Sequence, residues 1–157
     1  MKIEKTHIYF WVSSVFIFVL GFSYYNSVET EVISFNIHDT YYIIEIPLIT
    51  NFVSIILFIT GLVYWFFIKL NIRLFKLFII IHFILSIGIF LAFLIGLSYF
   101  KMSFLAQNNK NFHLFDDSLN QDLFNSVLFF IFFLIQIVFV INLVISVLRH
   151  FFKPIKQ

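Results

Sequence analysis

Four apolar stretches of membrane-spanning length constrain this chain more than any other feature. They cover residues 8–25, 47–68, 77–100 and 123–148. An α-helix rises ~1.5 Å per residue, so roughly 20 apolar residues cross about 30 Å of hydrocarbon. Runs such as residues 128–133 are apolar on every face, unlike the alternating strands of a membrane barrel. The sequence therefore predicts an all-α integral membrane protein, with four transmembrane helices in a single domain over residues 1–157.

The composition supports this class and excludes several kinds of chemistry. Hydrophobic residues make up 62% of the chain and charged residues 11%, whereas soluble proteins are about half apolar and a quarter charged. Because there is no cysteine, disulfides, thiolate-held iron–sulfur clusters, c-type haem and cysteine nucleophiles are excluded. The four glycines form neither a G-x-G-x-x-G nor a P-loop pattern. We therefore expect neither nucleotide chemistry nor a nucleic-acid partner.

The basic residues predict the orientation of the helices. Only Lys101 and Lys110 lie in the loops 26–46 and 101–122, which hold seven of the eight carboxylates. By the positive-inside rule these loops are external and both termini are cytoplasmic. The first segment lacks a small-x-small cleavage site, so we expect a retained anchor in a bacterial cytoplasmic membrane. The basic residues on the expected inner side are Lys2, Lys5, Lys69, Arg73, Lys76, Arg149, Lys153 and Lys156.

The first outer loop contains the most distinctive motif of the chain, HDTYYII at residues 38–44. It resembles the segment of haem-copper (cytochrome c) oxidase subunit I that opens the tenth transmembrane helix, at the outer face. In that family a small residue and two haem-ligating histidines follow. The resemblance covers residues 35–68, but this chain has Ile46 and Leu48 at the two histidine positions. Neither side chain can ligate iron, so the resemblance implies a related helix without haem chemistry.

The same resemblance implies a metal site. In the family, the residues matching His38 and Asp39 help to hold a non-redox magnesium between subunits and hydrogen-bond the haem propionates. His38 and Asp39 are therefore candidate magnesium ligands at the outer face. Glu45 or a carboxylate of the second outer loop could complete the oxygen-rich ligand set that a hard cation prefers.

A purely structural interpretation of this segment has two forms. In the first, Asp39 is the N-cap of a helix that starts at Thr40. Tyr41 and Tyr42 would then lie one helical turn before Glu45, forming an outer cap cluster. In the second, the alternating apolar and polar residues over 32–37 form a strand of a short outer hairpin.

Among the polar residues within the apolar segments, His82 is the strongest candidate for a specific role. It is a candidate b-haem ligand, with His7 and His150 as the other histidines near the expected inner face. The favoured interpretation is a hydrogen bond from His82 to Ser86, Asn142 or a backbone carbonyl. We expect the remaining polar residues to link helices. These are Asn51, Ser54, Thr60, Ser86, Gln136, Asn142 and Ser146.

These patterns favour a non-catalytic protein without a cofactor. It would be a structural or accessory component of a membrane assembly, such as a respiratory one. Its expected surroundings are the lipid bilayer and other membrane subunits or further copies of itself. One alternative is a small b-haem or quinone redox protein. Another is a transport or channel component, which is disfavoured because no acidic residue lies at mid-membrane.

Overall fold

The computed structural model describes residues 5–25, 32–37, 40–107 and 115–152. Each of its four helices contains a segment long and apolar enough to cross a membrane, namely Thr6–Ser23, Ile46–Lys69, Lys76–Phe100 and Leu123–Phe151. The prediction of a multi-pass protein with four apolar helices is confirmed at this level. The elements described are, in chain order, α1 (Thr6–Tyr25), β1 (Val32–Ile37), β2 (Thr40–Glu45), α2 (Ile46–Lys69), α3 (Lys76–Gln107) and α4 (Phe115–Phe151).

The distribution of side chains is that of a bundle facing lipid. Large apolar side chains such as Val12, Ile95 and Phe130 are more than 60% exposed. Lipid tails accept such surface but cannot hydrogen-bond, so polar groups are expected between the helices. The buried polar residues are Thr6, Ser14, Thr50, Ser54, Thr60, His82, Ser86, Asn125, Asn142 and Ser146.

α1 and α2 form an antiparallel pair whose backbones approach closely at two glycines. Gly21 lies against Thr50, and a Cβ at this position would collide with the threonine side chain. Toward the other end of the pair, a Cβ at Gly61 would come within 2.6 Å of the Trp11 ring. Small residues at such crossings allow the close contact that stabilises helices in lipid.

α3 and α4 form the second antiparallel pair, and both are longer than predicted. The loop expected over residues 101–122 is helical over 101–107 and 115–122. These extensions add roughly 10 to 12 Å beyond the apolar spans, at ~1.5 Å per residue. The sequence analysis did not predict these extensions, because hydropathy marks only the hydrocarbon span.

β1 and β2 form an antiparallel hairpin directly before α2. The register runs from the pair Val32–Glu45 to the pair Ile37–Thr40. Ile33 lies opposite Ile44 and is 1% exposed, and β1 contacts α4. The hairpin therefore covers part of the bundle with one apolar face.

This hairpin corrects the interpretation in which Asp39 caps a helix starting at Thr40. Residues 40–44 are all β-branched or aromatic, and such residues favour a strand. The backbone of Glu45 is still extended, and α2 begins only at Ile46. Pro47 follows in the first turn, where the N–H that proline lacks would have no partner in the helix.

The alternating helices place opposite charges at the two ends of the bundle. The acidic end comprises the hairpin, the end of α3 and the start of α4. It carries one described lysine, Lys101, beside Glu45, Asp116, Asp117 and Asp122. The basic end comprises the start of α1, the α2–α3 loop and the end of α4, with the described residues Lys5, Lys69, Arg73, Lys76 and Arg149.

Candidate functional site

The predicted outer site is only partly described. His38 and Asp39 lie outside the described residues, so the magnesium site stays a prediction. Tyr41, Tyr42 and Glu45 all belong to β2. Residues 41 and 45 are therefore roughly 13 Å apart along the strand, and residues 42 and 45 point to opposite faces. The outer cap cluster, which assumed helical spacing, is wrong in that form.

Ile46 and Leu48, the two positions at which the predicted resemblance expects histidines, lie in the first turn of α2. Ile46 is buried, whereas Leu48 is 62% exposed. Two residues on a helix differ by roughly 200° in direction, so the side chains point to opposite sides. Ile46 packs into the hydrophobic core, and Leu48 faces outward.

His82 lies where all four helices meet. Its imidazole is fully buried between the rings of Phe10 and Phe139, with centroid distances of 5.3 and 5.4 Å. Both phenyl rings are nearly parallel to it, at 24° and 22°. Tyr64 approaches from the side, with its ring centroid 6.3 Å away. Each helix thus contributes one ring to an aromatic cluster consisting of Phe10, Tyr64, His82 and Phe139.

The hydrogen bond of His82 differs from the expectation. Its Nε2 lies 3.2 Å from Oε1 of Gln136, rather than bonding Ser86, Asn142 or a backbone carbonyl. Because an amide oxygen only accepts, Nε2 carries the proton in this arrangement. The Gln136 amide in turn donates to the Phe132 carbonyl at 3.3 Å. The long glutamine side chain lets α4 reach across to the ring on α3.

Several polar atoms around this cluster have no partner among the described residues. They are Nδ1 of His82, Oγ of Ser86, the Tyr64 hydroxyl and Nδ2 of Asn142. The Tyr64 hydroxyl lies near the Asn142 side chain, outside the geometric limits of a hydrogen bond. A buried polar group without a partner costs about 1 to 3 kcal/mol. The cluster is therefore well packed but incompletely hydrogen-bonded.

This geometry does not fit a bis-histidine haem. Phenyl rings cover both faces of His82, and Gln136 engages Nε2. His7 makes its ring contact with Trp11 at 5.1 Å, and His150 makes its own with Phe151 at 5.8 Å. The described contacts of His7 and His150 are thus made outside the aromatic cluster, which acts as a packing centre for the four helices.

The serine contact between α1 and α2 is the best-satisfied polar contact of the interior. Ser14 donates to the Ser54 carbonyl and Ser54 donates to the Ser14 carbonyl, both at 2.9 Å. Their hydroxyl oxygens are 3.1 Å apart. The sequence identified Ser54 as a helix link but missed Ser14. The signal was the pair of small residues 13–14 within a run of bulky ones.

The other predicted links behave differently from one another. The Asn142 side chain links α4 to the α2–α3 loop, since its Oδ1 accepts from the backbone N–H of Phe75 at 3.2 Å. The predicted link Thr60 donates to a carbonyl of its own helix, as does Thr50, which was not among the predicted links. They therefore satisfy their hydroxyls without linking two helices.

Asn125 is a buried residue that the sequence analysis missed. It is 2% exposed, and neither its Oδ1 nor its Nδ2 has a hydrogen-bond partner among the described residues. It lies beside an apolar cavity of about 30 Å³ between α2, α3 and α4. The sequence could have indicated Asn125 as a buried polar residue, because it is an amide within a phenylalanine-rich span. The cavity is lined by Ile49, Val53, Ile89, Phe90, Phe93, Asn125, Leu128, Phe129 and Phe132.

Comparison with known proteins returns no family model, no curated protein and no solved structure that matches this chain. The resemblance of residues 38–44 to haem-copper oxidase subunit I therefore stays a prediction made from those residues.

Proposed function

We propose that this chain is a non-catalytic component of a membrane assembly, with His82 in a structural role. The aromatic cluster carries this proposal, because it uses the most reactive buried side chain to hold helices together. Two ring stacks and one hydrogen bond restrain the imidazole. A side chain restrained in this way stabilises one arrangement of the helices. This is a structural role and not a catalytic one.

The proposed partner is a larger membrane subunit of a respiratory oxidase type. The resemblance of residues 38–44 to subunit I of that family suggests this class. The outward faces of the helices are broad and apolar, so they suit another membrane protein as well as lipid. Purification in a mild detergent, followed by identification of the co-purifying chains, tests this part. Oxidase subunits in the eluate are expected, and a chain that elutes alone under all mild conditions contradicts the accessory role.

The absorption spectrum of the same sample separates this proposal from a redox protein. We expect no Soret band and no α-band in a reduced-minus-oxidised spectrum. A haem spectrum that disappears in His82→Ala would show that the alternative, a small b-haem protein, is the right one. Such a result would also require the ring stacks around His82 to rearrange.

The proposed location is a bacterial cytoplasmic membrane with both termini inside. The support is the separation of charge between the basic and acidic ends, because basic residues near membrane spans favour the cytoplasmic side. Reporter fusions at Asn71 and Gln157 are expected to report the cytoplasm. Fusions at Glu29 and Asn109 are expected to report the outside. An external carboxyl terminus would reverse the orientation.

A further inference from the structure

A polar pocket lies at the basic end, between the α2–α3 loop and the last turns of α4. Its volume is about 220 Å³, several times the ~30 Å³ that one water molecule takes in the liquid. It is lined by Asn71, Arg73, Ser146, Arg149 and His150. A phosphate-sized group therefore has room among two guanidinium groups, an imidazole, an amide and a hydroxyl.

The loop that carries Asn71 and Arg73 is held in one conformation. Asn71 has a φ of 57°, in the left-handed region that asparagine tolerates better than most residues. The N–H of Asn71 donates to the Ile68 carbonyl at 3.0 Å, and the N–H of Ile72 donates to the Phe67 carbonyl at 3.1 Å. This pair of bonds is a Schellman motif, which closes the end of α2. One wall of the pocket is thus preorganised.

The opposite wall is fixed to this loop by two contacts. Asn142 of α4 accepts from the backbone N–H of Phe75, just before α3. The guanidinium of Arg149 lies over the Phe75 ring, with its Cζ 5.3 Å from the centroid. The buried Ser146 lies one turn before Arg149 and within hydrogen-bonding range of Asn142, at 3.5 Å. The side chains of Arg149 and Ser146 are therefore positioned before any ligand arrives.

The charged residues that the structure describes at this pocket are basic. The four carboxylate-bearing residues that it describes all belong to the acidic end, so none of these four pairs with Arg73 or Arg149. The carbonyls at the end of α4 disfavour an anion, because the C-terminal end of a helix is negative. Affinity for an anion must therefore come from the two arginines. Guanidinium groups match phosphate oxygens particularly well, since they can donate two parallel hydrogen bonds.

We propose that this basic pocket binds a phosphate group, carried either by an anionic phospholipid or by a soluble phosphate compound. The apolar spans of α2 and α4 end at Lys69 and Phe151, so the pocket lies at the ends of these spans, where a headgroup phosphate would be met. Basic pockets between transmembrane helices are suited to anionic headgroups. This inference does not depend on the proposed accessory role.

The test uses the full chain in neutral detergent and measures its melting temperature. The probes are phosphatidylglycerol in a phosphatidylcholine carrier, the carrier alone, and inorganic phosphate. We expect phosphatidylglycerol to raise the melting temperature with a defined half-saturation concentration. Arg73→Gln is expected to raise that concentration about tenfold, which corresponds to about 1.4 kcal/mol. Lys69→Gln is the control, because Lys69 lies at the same end but outside the pocket.

Arg149→Lys is a second variant. It keeps the positive charge but loses the two parallel hydrogen-bond donors of the guanidinium group. It is expected to raise the half-saturation concentration, with the ligand-induced shift measured from the variant's own melting temperature without ligand. A shift with phosphatidylglycerol alone identifies a lipid headgroup as the ligand. An equal shift with inorganic phosphate identifies a soluble phosphate compound. Absence of any shift, or a shift that Arg73→Gln and Lys69→Gln reduce equally, overturns the proposal.

Discussion

The α1–α2 pair and the α3–α4 pair of this protein differ in the side chains through which the helices pack. α1 and α2 approach through Gly21 and Gly61, and the two serines at their crossing satisfy each other. α3 and α4 meet mainly through large aromatic and amide side chains, with the Phe124 ring against Gly96, and among the described residues neither side-chain polar atom of Asn125 has a hydrogen-bond partner. Where α1 and α2 cross, close backbones bring short hydroxyl groups within reach of carbonyls. Between α3 and α4, the long side chain of Gln136 reaches His82.

The largest expected effect tests the aromatic cluster. His82→Ala should lower the free energy of unfolding in mixed micelles by about 2 to 5 kcal/mol, because it removes a buried ring and opens a cavity. Leu85→Ala, one turn further along α3 on an exposed position, is the control and should have a small effect. Equal effects of the two variants would show that α3 and α4 do not depend on this contact.

A companion variant separates ring packing from polarity at the same site. His82→Phe combined with Gln136→Leu removes both partners of the hydrogen bond while keeping a ring between Phe10 and Phe139. Replacing both polar partners by apolar groups of similar shape is nearly neutral. The unfolding free energy should therefore stay close to that of the wild type. A loss as large as that of His82→Ala would mean that the imidazole nitrogen itself is needed.

The second largest effect tests the close contact of α1 and α2. Gly21→Ala forces a Cβ into the Thr50 side chain and should destabilise the protein by about 1 to 3 kcal/mol. Gly88→Ala is the matched control on α3, since a Cβ there would meet no described atom within 4 Å apart from its chain neighbours and the nearby backbone of α3. That control should be neutral or stabilising by up to about 1 kcal/mol, because alanine favours helices over glycine. If both variants behave alike in mixed micelles, the backbones of α1 and α2 are further apart than described.

The third prediction concerns the unsatisfied amide between α2, α3 and α4. Asn125→Leu should stabilise the protein by about 1 kcal/mol, because it replaces an unpaired buried amide by an apolar side chain of similar size. Asn142→Leu should destabilise it instead, since the Phe75 N–H would lose its acceptor. Comparing the two unfolding midpoints checks the opposite signs. A destabilising Asn125→Leu would indicate that the cavity holds a group bonded to the amide.

The smallest expected effect tests the serine contact. Ser14→Ala should cost roughly 0.6 to 1.7 kcal/mol, the usual range for a polar contact between helices in lipid. Ser98→Ala is the control, because Ser98 is exposed and donates to Leu94 of its own helix. An effect no larger than that of the control would leave the glycines as the main determinant of the α1–α2 pair.

The sequence predicted the fold class well and the element ends less well. Hydropathy found the four spans, since crossing hydrocarbon requires length and apolarity that are visible in any window. It missed the helical extensions at residues 101–107 and 115–122, because polar residues outside the membrane carry no such requirement. It left helix and strand open at residues 40–45, where only the pairing of β2 with β1 decided the matter.

The site residues show the same division. The sequence by itself determined that His82 is buried in the membrane and needs a partner, because an isolated polar group in lipid is costly. Only the tertiary structure decided that this partner is Gln136 and that Phe10 and Phe139 enclose the ring. The physical reason is that these helices are apolar on nearly every face. Hydropathy therefore leaves their rotation about their own axes undetermined, and side-chain packing sets it.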